Sequence, residues 1–135
     1  DADLLIQKQE GKLLHEIIAE KGTDGFIEIE ERVNASIEAS HTIIATGGSV
    51  VYGKKAMEHL SRIGTVVYLK VPYDTLEKRL EDIKGRGVVL KEGQTLRTLY
   101  DERTPLYEKY ADIEISEDDL NVEQTVEKLL ERLNK

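Results

Sequence analysis

The stretch TIIATGGSVV, residues Thr42 to Val51, joins a short apolar run to a pair of glycines. The β-branched run Thr42–Thr46 is typical of a buried parallel strand, and it ends directly at Gly47 and Gly48. A glycine pair at the end of a strand has two explanations. It lets a ligand approach the backbone closely, or it forms an ordinary tight turn. The rest of the chain is needed to separate the two.

Two further apolar segments predict strands. Thr65–Val71 is β-branched and bounded by turn formers, while Asp112–Ser116 alternates as a strand at or near a sheet edge does. Pro72 suits the first turn of a helix, and Asn121 has the side chain that caps one. Helices that alternate with strands predict a mostly parallel sheet with helices on both faces. We therefore expect an α/β fold of three layers, with one domain over residues 1–135.

The helical segments carry apolar residues at spacings of three and four. These residues are Leu13, Leu14, Ile17 and Ile18, then Phe26, Ile29, Val33 and Ile37, then Leu76, Leu80 and Ile83, and finally Val122, Val126, Leu129, Leu130 and Leu133. We expect Gly11, Gly22 and Gly25 to divide the first third into short helices. Because covered parallel sheets usually have more than three strands, we also expect a further βα unit upstream of Asp1 in a longer parent protein.

The composition argues against several classes of function. A net charge of −8 without a basic stripe is unfavourable for binding nucleic acid. The 135 residues contain no cysteine for disulfide or thiolate chemistry, and no apolar run long enough for a membrane span or a signal peptide. The three histidines lie on separate elements without the spacing of metal ligands. These features favour a cytoplasmic protein with neither a nucleic-acid nor a membrane partner.

Several residues stand where ligands of α/β proteins usually bind. Asp1 and Asp3 would follow the end of a strand, where one carboxylate could face a metal or phosphate and the other a substrate hydroxyl. Alternatively, Asp3 simply caps a helix that begins at Leu4. The backbone amides of the glycine pair and of Ser49 could hold an anionic or hydroxylated ligand, as glycine-rich turns do.

Three arginines are candidate partners for anions. Arg86 lies in a glycine-rich segment, and a loop over residues 84–95 that carries a cation could close over phosphates or be an ordinary connection. Arg103 lies in ERTPLYEKYAD, residues 102–112, where its guanidinium suits a ligand carboxylate or an internal Asp or Glu equally. For Arg79, on the helix after the Thr65–Val71 strand, a solvated surface role is the default.

The order of these segments resembles the shikimate kinase family of P-loop kinases. The resemblance rests on the aspartate pair, FIEIEE at 26–31, IATGGSVV at 44–51, GTVVYLKV at 64–71, a loop arginine and ERTPLYEKYAD, and it covers nearly the whole chain. It implies a monomeric enzyme of aromatic amino acid biosynthesis. Such an enzyme transfers the γ-phosphoryl group of ATP, with Mg²⁺, to a hydroxyl of shikimate.

The resemblance also implies how the substrate is bound. Asp3 contacts the substrate hydroxyls as the base or orienting group, and is one of two catalytic residues. Gly47 and Gly48 bind the substrate through their backbone, and Arg103 pairs with its carboxylate. The substrate-binding helices extend over about residues 3–40.

On the nucleotide side, the resemblance implies three further roles. Asp1 holds the magnesium shell through water. Arg79 lies by the adenine, which also touches the loop around Asp118–Val122. Arg86, the second catalytic residue, also binds the nucleotide, because the lid over residues 84–95 brings it to the transferred phosphate.

Three departures from the family's pattern bear on activity and substrate. The phosphate-binding loop G-x-x-x-x-G-K-[ST] is not among the 135 residues, so we expect the chain as given to be inactive and a longer parent to supply the loop. Ile27 replaces an arginine that shares the substrate carboxylate, which predicts binding weaker by about 1.5–3 kcal/mol. Ser49 replaces the family's third glycine, and Arg86-Gly87 replaces Arg-Pro.

These departures leave two alternatives open. The parent could be a kinase that phosphorylates another small hydroxylated compound, with Ile27 as the indication. It could also be a non-catalytic nucleotide-binding or regulatory module that kept the fold. An intact phosphate-binding loop in the parent would favour a kinase over the module.

Overall fold

The computed structural model describes residues 1–82, 93–117 and 121–134, and for residues 80–82 it describes the backbone alone. In chain order the elements are α1 (Ala2–Glu10), α2 (Leu14–Ala35), a 3-10 helix (Gly48–Tyr52), α3 (Lys54–Ile63), β1 (Val67–Lys70), α4 (Tyr73–Asp82), α5 (Leu96–Tyr110), β2 (Ile113–Ser116) and α6 (Val122–Leu133). In these ranges, no helix combines the length and hydropathy that crossing a membrane requires.

The strands β1 and β2 pair in parallel. Val67 is aligned with Ile113, and Lys70 with Ser116. In the chain α4 and α5 lie between the two strands, as expected for a parallel pair, which needs a crossover connection. Two of the three predicted strands are therefore confirmed, and so is the α/β class with a parallel sheet flanked by helices.

The third predicted strand is wrong. Thr42–Thr46 has irregular backbone, and Ile43 is 92% exposed. A strand requires a ladder of hydrogen bonds to a neighbouring strand, whereas in the described residues the backbone hydrogen bond from this segment goes to α1, from the Ala2 amide to the Ala45 carbonyl at 2.9 Å. In the described part of the chain, the sheet consists of β1 and β2 alone. The apolar run thus has strand propensity without a strand partner.

Two of the three glycines predicted to divide the first third do so. Gly11 ends α1 in the left-handed conformation, with φ 68°. Gly22 interrupts α2 at φ 74° and ψ 176°, a conformation that is essentially restricted to glycine. The prediction is wrong for Gly25, which continues the helix after the kink. A glycine inside a helix lowers the stability of the helix but does not always interrupt it.

Two apolar clusters hold the helices together. One contains Ile6, Ile17, Phe26 and Val33, and joins α1 to both halves of α2. The other contains Val50, Val51, Ala56, Met57 and Leu60, from the 3-10 helix and α3, and Leu106 and Tyr107 of α5 pack against it. The 3-10 helix, which begins with the second glycine of the pair, is thereby fixed between α2 and α5.

The C-terminal helix begins as predicted. The Asn121 side chain accepts a hydrogen bond from the Gln124 amide at 2.8 Å and so caps α6. The apolar face predicted for this helix is largely exposed, with Val122 at 82% and Leu130 at 53%. Amphipathic spacing predicts that a helix has an apolar face, but burial of that face depends on a neighbouring element. For α4, the predicted core positions Leu80 and Ile83 lie outside the described side chains.

Candidate functional site

The glycine pair is explained by close side-chain neighbours and not by backbone conformation. Gly47 has φ −72° and ψ 158°, which other residues adopt, and neither glycine is among the described residues with positive φ. A Cβ on Gly48, however, would lie 2.7 Å from Tyr107 Oη and 2.9 Å from Arg103 Nη1. Real Cβ atoms do not approach other atoms so closely. At Gly48, side chains of α5 thus approach the backbone closely.

Two carboxylates flank the other glycine of the pair. A Cβ on Gly47 would lie 3.2 Å from Asp3 Oδ1 and 3.3 Å from Glu30 Oε2. Asp3 is half-buried in the first turn of α1, while Glu30 is buried on α2 with 1% of its surface exposed. The hydroxyl of Ser49, the residue after the pair, donates a hydrogen bond to Glu30 Oε1 at 2.5 Å.

On the α5 side, a guanidinium and a phenol face the turn. Tyr107 Oη donates a hydrogen bond to the Gly48 carbonyl at 3.0 Å, and it also interacts with the Arg103 side chain. The Arg103 guanidinium lies 5.4 Å from the centre of the Tyr52 ring, which is within cation-π range. The turn thus has two acids beside Gly47 and a positioned cation beside Gly48.

The electrostatics of this group centre on Glu30. The pKa of its carboxyl is raised from 4.5 to about 7, chiefly by burial and also by the nearby Asp3, while the Ser49 hydrogen bond and the Arg103 charge act to lower it. Burial also raises the pKa of the Tyr107 phenol, against the opposing effect of Arg103. The charge of the site therefore changes near neutral pH.

Two predicted site residues have partners elsewhere. Asp1 is the N-cap of α1, and its Oδ1 accepts a hydrogen bond from the Asp3 amide at 2.8 Å. The alternative in which Asp3 caps a helix starting at Leu4 is thus wrong, because the helix starts two residues earlier. In the described part of the chain, Arg79 Nη1 lies 3.4 Å from Glu117 Oε2, just after β2.

The structure brings together four of the predicted residues, namely Asp3, Gly47, Gly48 and Arg103. Arg86, most of the predicted lid over residues 84–95, and residues 118–120 of the predicted adenine loop lie outside the described residues. The role of the lid therefore remains a prediction.

For a divalent cation, Asp1 is the candidate. The described residues include no group of three or more acidic or histidine side chains that could enclose a metal ion. Asp1 is exposed, and one of its oxygens is engaged by the Asp3 amide. Mg²⁺ commonly uses one or two carboxylates and keeps several waters. Asp1 therefore fits a contact through water but does not form a protein site by itself.

Sequence reasoning missed Glu30 as a member of the site. The available signal was its position, because Glu30 follows Phe26 by four residues and precedes Val33 by three, on the buried face of α2. A carboxylate on the buried face of a helix needs polar partners, and buried ionisable groups are enriched in functional sites. The partner Ser49 is 19 residues away, so no local pattern could identify it.

Comparisons with known proteins agree with this arrangement. The family model described as shikimate kinase matches residues 1–134. The shikimate kinase of Persephonella marina is 29% identical over 134 residues, with 98% of this chain and 81% of the relative covered. That of Chlorobium chlorochromatii is 32% identical over 146 residues, with 100% and 76% covered.

Two solved structures share the fold. The crystal structure of the Bacteroides thetaiotaomicron shikimate kinase has a TM-score of 0.78 at 29% identity, with 100% of this chain and 82% of that one covered. The Acinetobacter baumannii shikimate kinase in complex with shikimate has a TM-score of 0.77 at 29% identity, with 98% and 74% covered. Motif order, parallel α/β fold and family match agree, and the chain belongs to the shikimate kinase family.

Proposed function

We propose that the protein is a kinase that transfers the γ-phosphoryl group of ATP to a hydroxyl of shikimate. The observation that carries the proposal is the placement of Asp3 beside Gly47 and of Arg103 beside Gly48, at two neighbouring positions of the glycine turn. A substrate with hydroxyls at one end and a carboxylate at the other is complementary to this arrangement. The solved relative from Acinetobacter baumannii is in complex with such a molecule, shikimate.

At the hydroxyl end, Asp3 is the proposed catalytic residue. An ionised carboxylate accepts hydrogen bonds, so it can orient a hydroxyl and receive its proton as the phosphoryl group is transferred. Its place in the first turn of α1 fixes the carboxylate beside Gly47. Asp3 would thus select and orient the accepting oxygen.

At the carboxylate end, Arg103 is the proposed partner. A guanidinium binds a carboxylate through two parallel hydrogen bonds, which fixes orientation as well as affinity. Its contacts with the Tyr52 ring and Tyr107 restrict its rotamers, so less conformational entropy is lost when a ligand binds. The backbone of Gly47 and Gly48 would complete the surface between the two ends.

The nucleotide side of the proposal rests on the family. When bound, Mg²⁺ neutralises the phosphates of ATP, and Asp1 would contact its shell through water. Arg79 would lie by the adenine, since its partner Glu117 leads into residues 118–122. Arg86 keeps its proposed role as the catalytic arginine of a lid over residues 84–95. A monomeric, cytoplasmic enzyme with one domain remains our expectation from the sequence.

The test is steady-state kinetics of the full-length protein with ATP and Mg²⁺, with shikimate varied. We expect turnover of shikimate, and a kcat lower by about 10²–10⁴ in Asp3→Asn. Asp24→Asn, which changes an exposed carboxylate on α2, is the matched control and should leave kcat and the KM for shikimate unchanged. Turnover of another hydroxylated acid but not of shikimate would contradict shikimate as the substrate. Absence of turnover with every hydroxylated acid tested would contradict the proposed kinase activity.

A further inference from the structure

We propose that Ser49 is a positioning residue for the substrate carboxylate. Its hydroxyl takes the place of a cation at position 27 as the partner of Glu30, and so limits the competition of Glu30 for the Arg103 guanidinium. This inference rests on the proposed function, because it concerns the carboxylate end of the same site.

The first step is the need of Glu30 for a partner. Its side chain is 1% exposed, and a buried carboxylate without hydrogen bonds is costly. Position 27 is one helical turn earlier on the same face of α2, so a long basic side chain there would reach Glu30. Ile27 offers no donor. An arginine at position 27 would supply a positive charge on this face of α2, and Ile27 does not supply one.

The second step is that another element supplies the donor. Ser49 is 5% exposed, and its hydroxyl donates to Glu30 Oε1 at 2.5 Å. A glycine at this position would have no hydroxyl to donate. The two departures from the family's pattern, at positions 27 and 49, thus converge on one carboxylate. The same bond ties the backbone directly after the glycine pair to α2.

The third step concerns Arg103. The groups that face Glu30 are Asp3 from α1, and Arg103 and Tyr107 from α5. Among these, Arg103 carries the positive charge, so both Glu30 and a substrate carboxylate are attracted to it. A hydrogen bond from Ser49 stabilises the ionised Glu30 without using the guanidinium. At a pH well above the Glu30 pKa of about 7, where the carboxyl stays ionised, loss of this hydrogen bond would draw the Arg103 guanidinium toward Glu30 and weaken substrate binding.

The experiment is steady-state kinetics of full-length variants at a pH well above the Glu30 pKa of about 7, so that Glu30 is ionised in each of them. Ser49→Ala should raise KM for shikimate about tenfold and leave kcat within about twofold, as loss of one charge-assisted hydrogen bond predicts. Ser36→Ala is the matched control, because that hydroxyl donates to the Val33 carbonyl, at 2.7 Å, at the C-cap of α2. An unchanged KM in Ser49→Ala would overturn the inference. If that variant does not fold, Ser49→Gly also removes the hydroxyl.

A double-mutant cycle tests whether the Ser49 hydroxyl takes the place of a cation at position 27 as the partner of Glu30. If Ser49 replaces the cation, Ile27→Arg should lower KM more in the Ser49→Ala background than in the wild type, by about three- to tenfold. Purely additive effects would show that the two positions act independently, and would overturn the inference.

A measurement without substrate separates this inference from the proposed function. In the Ser49→Ala protein the pKa of Glu30 should rise further, because the Ser49 bond lowers it. The pH at which thermal stability stops declining should therefore move upward relative to wild type. A shifted pH profile in a protein that does not phosphorylate shikimate would contradict only the proposed function. Identical profiles in an enzyme that does would contradict only the role of Ser49.

Discussion

The Arg103 guanidinium lies directly against the backbone of Gly48: a Cβ on that glycine would be 2.9 Å from Nη1. Tyr107 approaches the same point to 2.7 Å and donates a hydrogen bond to the Gly48 carbonyl. The glycine turn and α5 are therefore fitted to each other, although 55 residues separate Gly48 from Arg103. The orientation of the arginine depends on the absence of a side chain at position 48.

Gly48→Ala should displace Arg103 and Tyr107. The added methyl group meets the outer ends of both side chains, which can shift, so we expect a loss of about 1 kcal/mol in the free energy of unfolding and a higher KM for shikimate. Thermal denaturation and steady-state kinetics measure the two effects. Gly64→Ala is the control, since nothing lies within 4 Å of a Cβ at that glycine. Equal changes in unfolding free energy and in KM for the two variants would contradict the close packing of Gly48 against Arg103 and Tyr107.

Arg103→Met should weaken shikimate binding. Loss of a charge-assisted pair costs about 1.5–3 kcal/mol, which corresponds to a KM raised about 10- to 100-fold. The substrate carboxylate is unchanged during phosphoryl transfer, so kcat should change much less. Arg97→Met is the control on the same helix, because Arg97 is exposed and pairs with Asp101. A loss confined to kcat would contradict the proposed role.

Ile27→Arg should improve the affinity for shikimate. The new guanidinium would lie one turn from Glu30, where a carboxylate is available to it and where it can share the substrate carboxylate. We expect a lower KM at nearly constant kcat, measured with shikimate varied at saturating ATP. An equal or lower KM in the wild type would show that Arg103 alone is sufficient. In that case the weaker binding expected from the sequence is wrong.

The stability of the protein should fall as the pH rises from about 4.5 to about 7. Glu30 has a pKa of about 7 in the folded state against 4.5 ordinarily, so the folded state binds its proton more tightly. The resulting stability is fully present below the lower pKa and is lost as the pH rises through the higher one, by at most about 3 kcal/mol. Denaturant titrations at several pH values measure this loss.

Glu30→Gln should flatten this part of the pH profile, because the amide does not titrate. Glu28→Gln, which changes an exposed carboxylate on the same helix, should leave the slope unchanged. A wild-type profile that is already flat between these pH values would show that Glu30 is ionised at little cost in the folded state.

Local patterns in the sequence were sufficient for much of the fold. A β-branched run located β1, alternation located β2, and helical periodicity located the buried faces of α2. Residue type located the Asn121 cap and the break at Gly22. Such signals are short-range, since they depend on neighbours within about one or two turns. Thr42–Thr46 shows their limit, because a strand also needs a partner, which its own residues cannot specify.

The sequence by itself determined the family and the residues Asp3, Gly47, Gly48 and Arg103 as candidates, since their order along the chain is a property of the sequence. Only the tertiary structure decided that the glycines provide space for Arg103 and Tyr107, and that Ser49 is the donor to a buried Glu30. The physical reason is that these contacts join residues far apart in the chain. Their distances and their desolvation exist only once α2, the glycine turn and α5 are packed together.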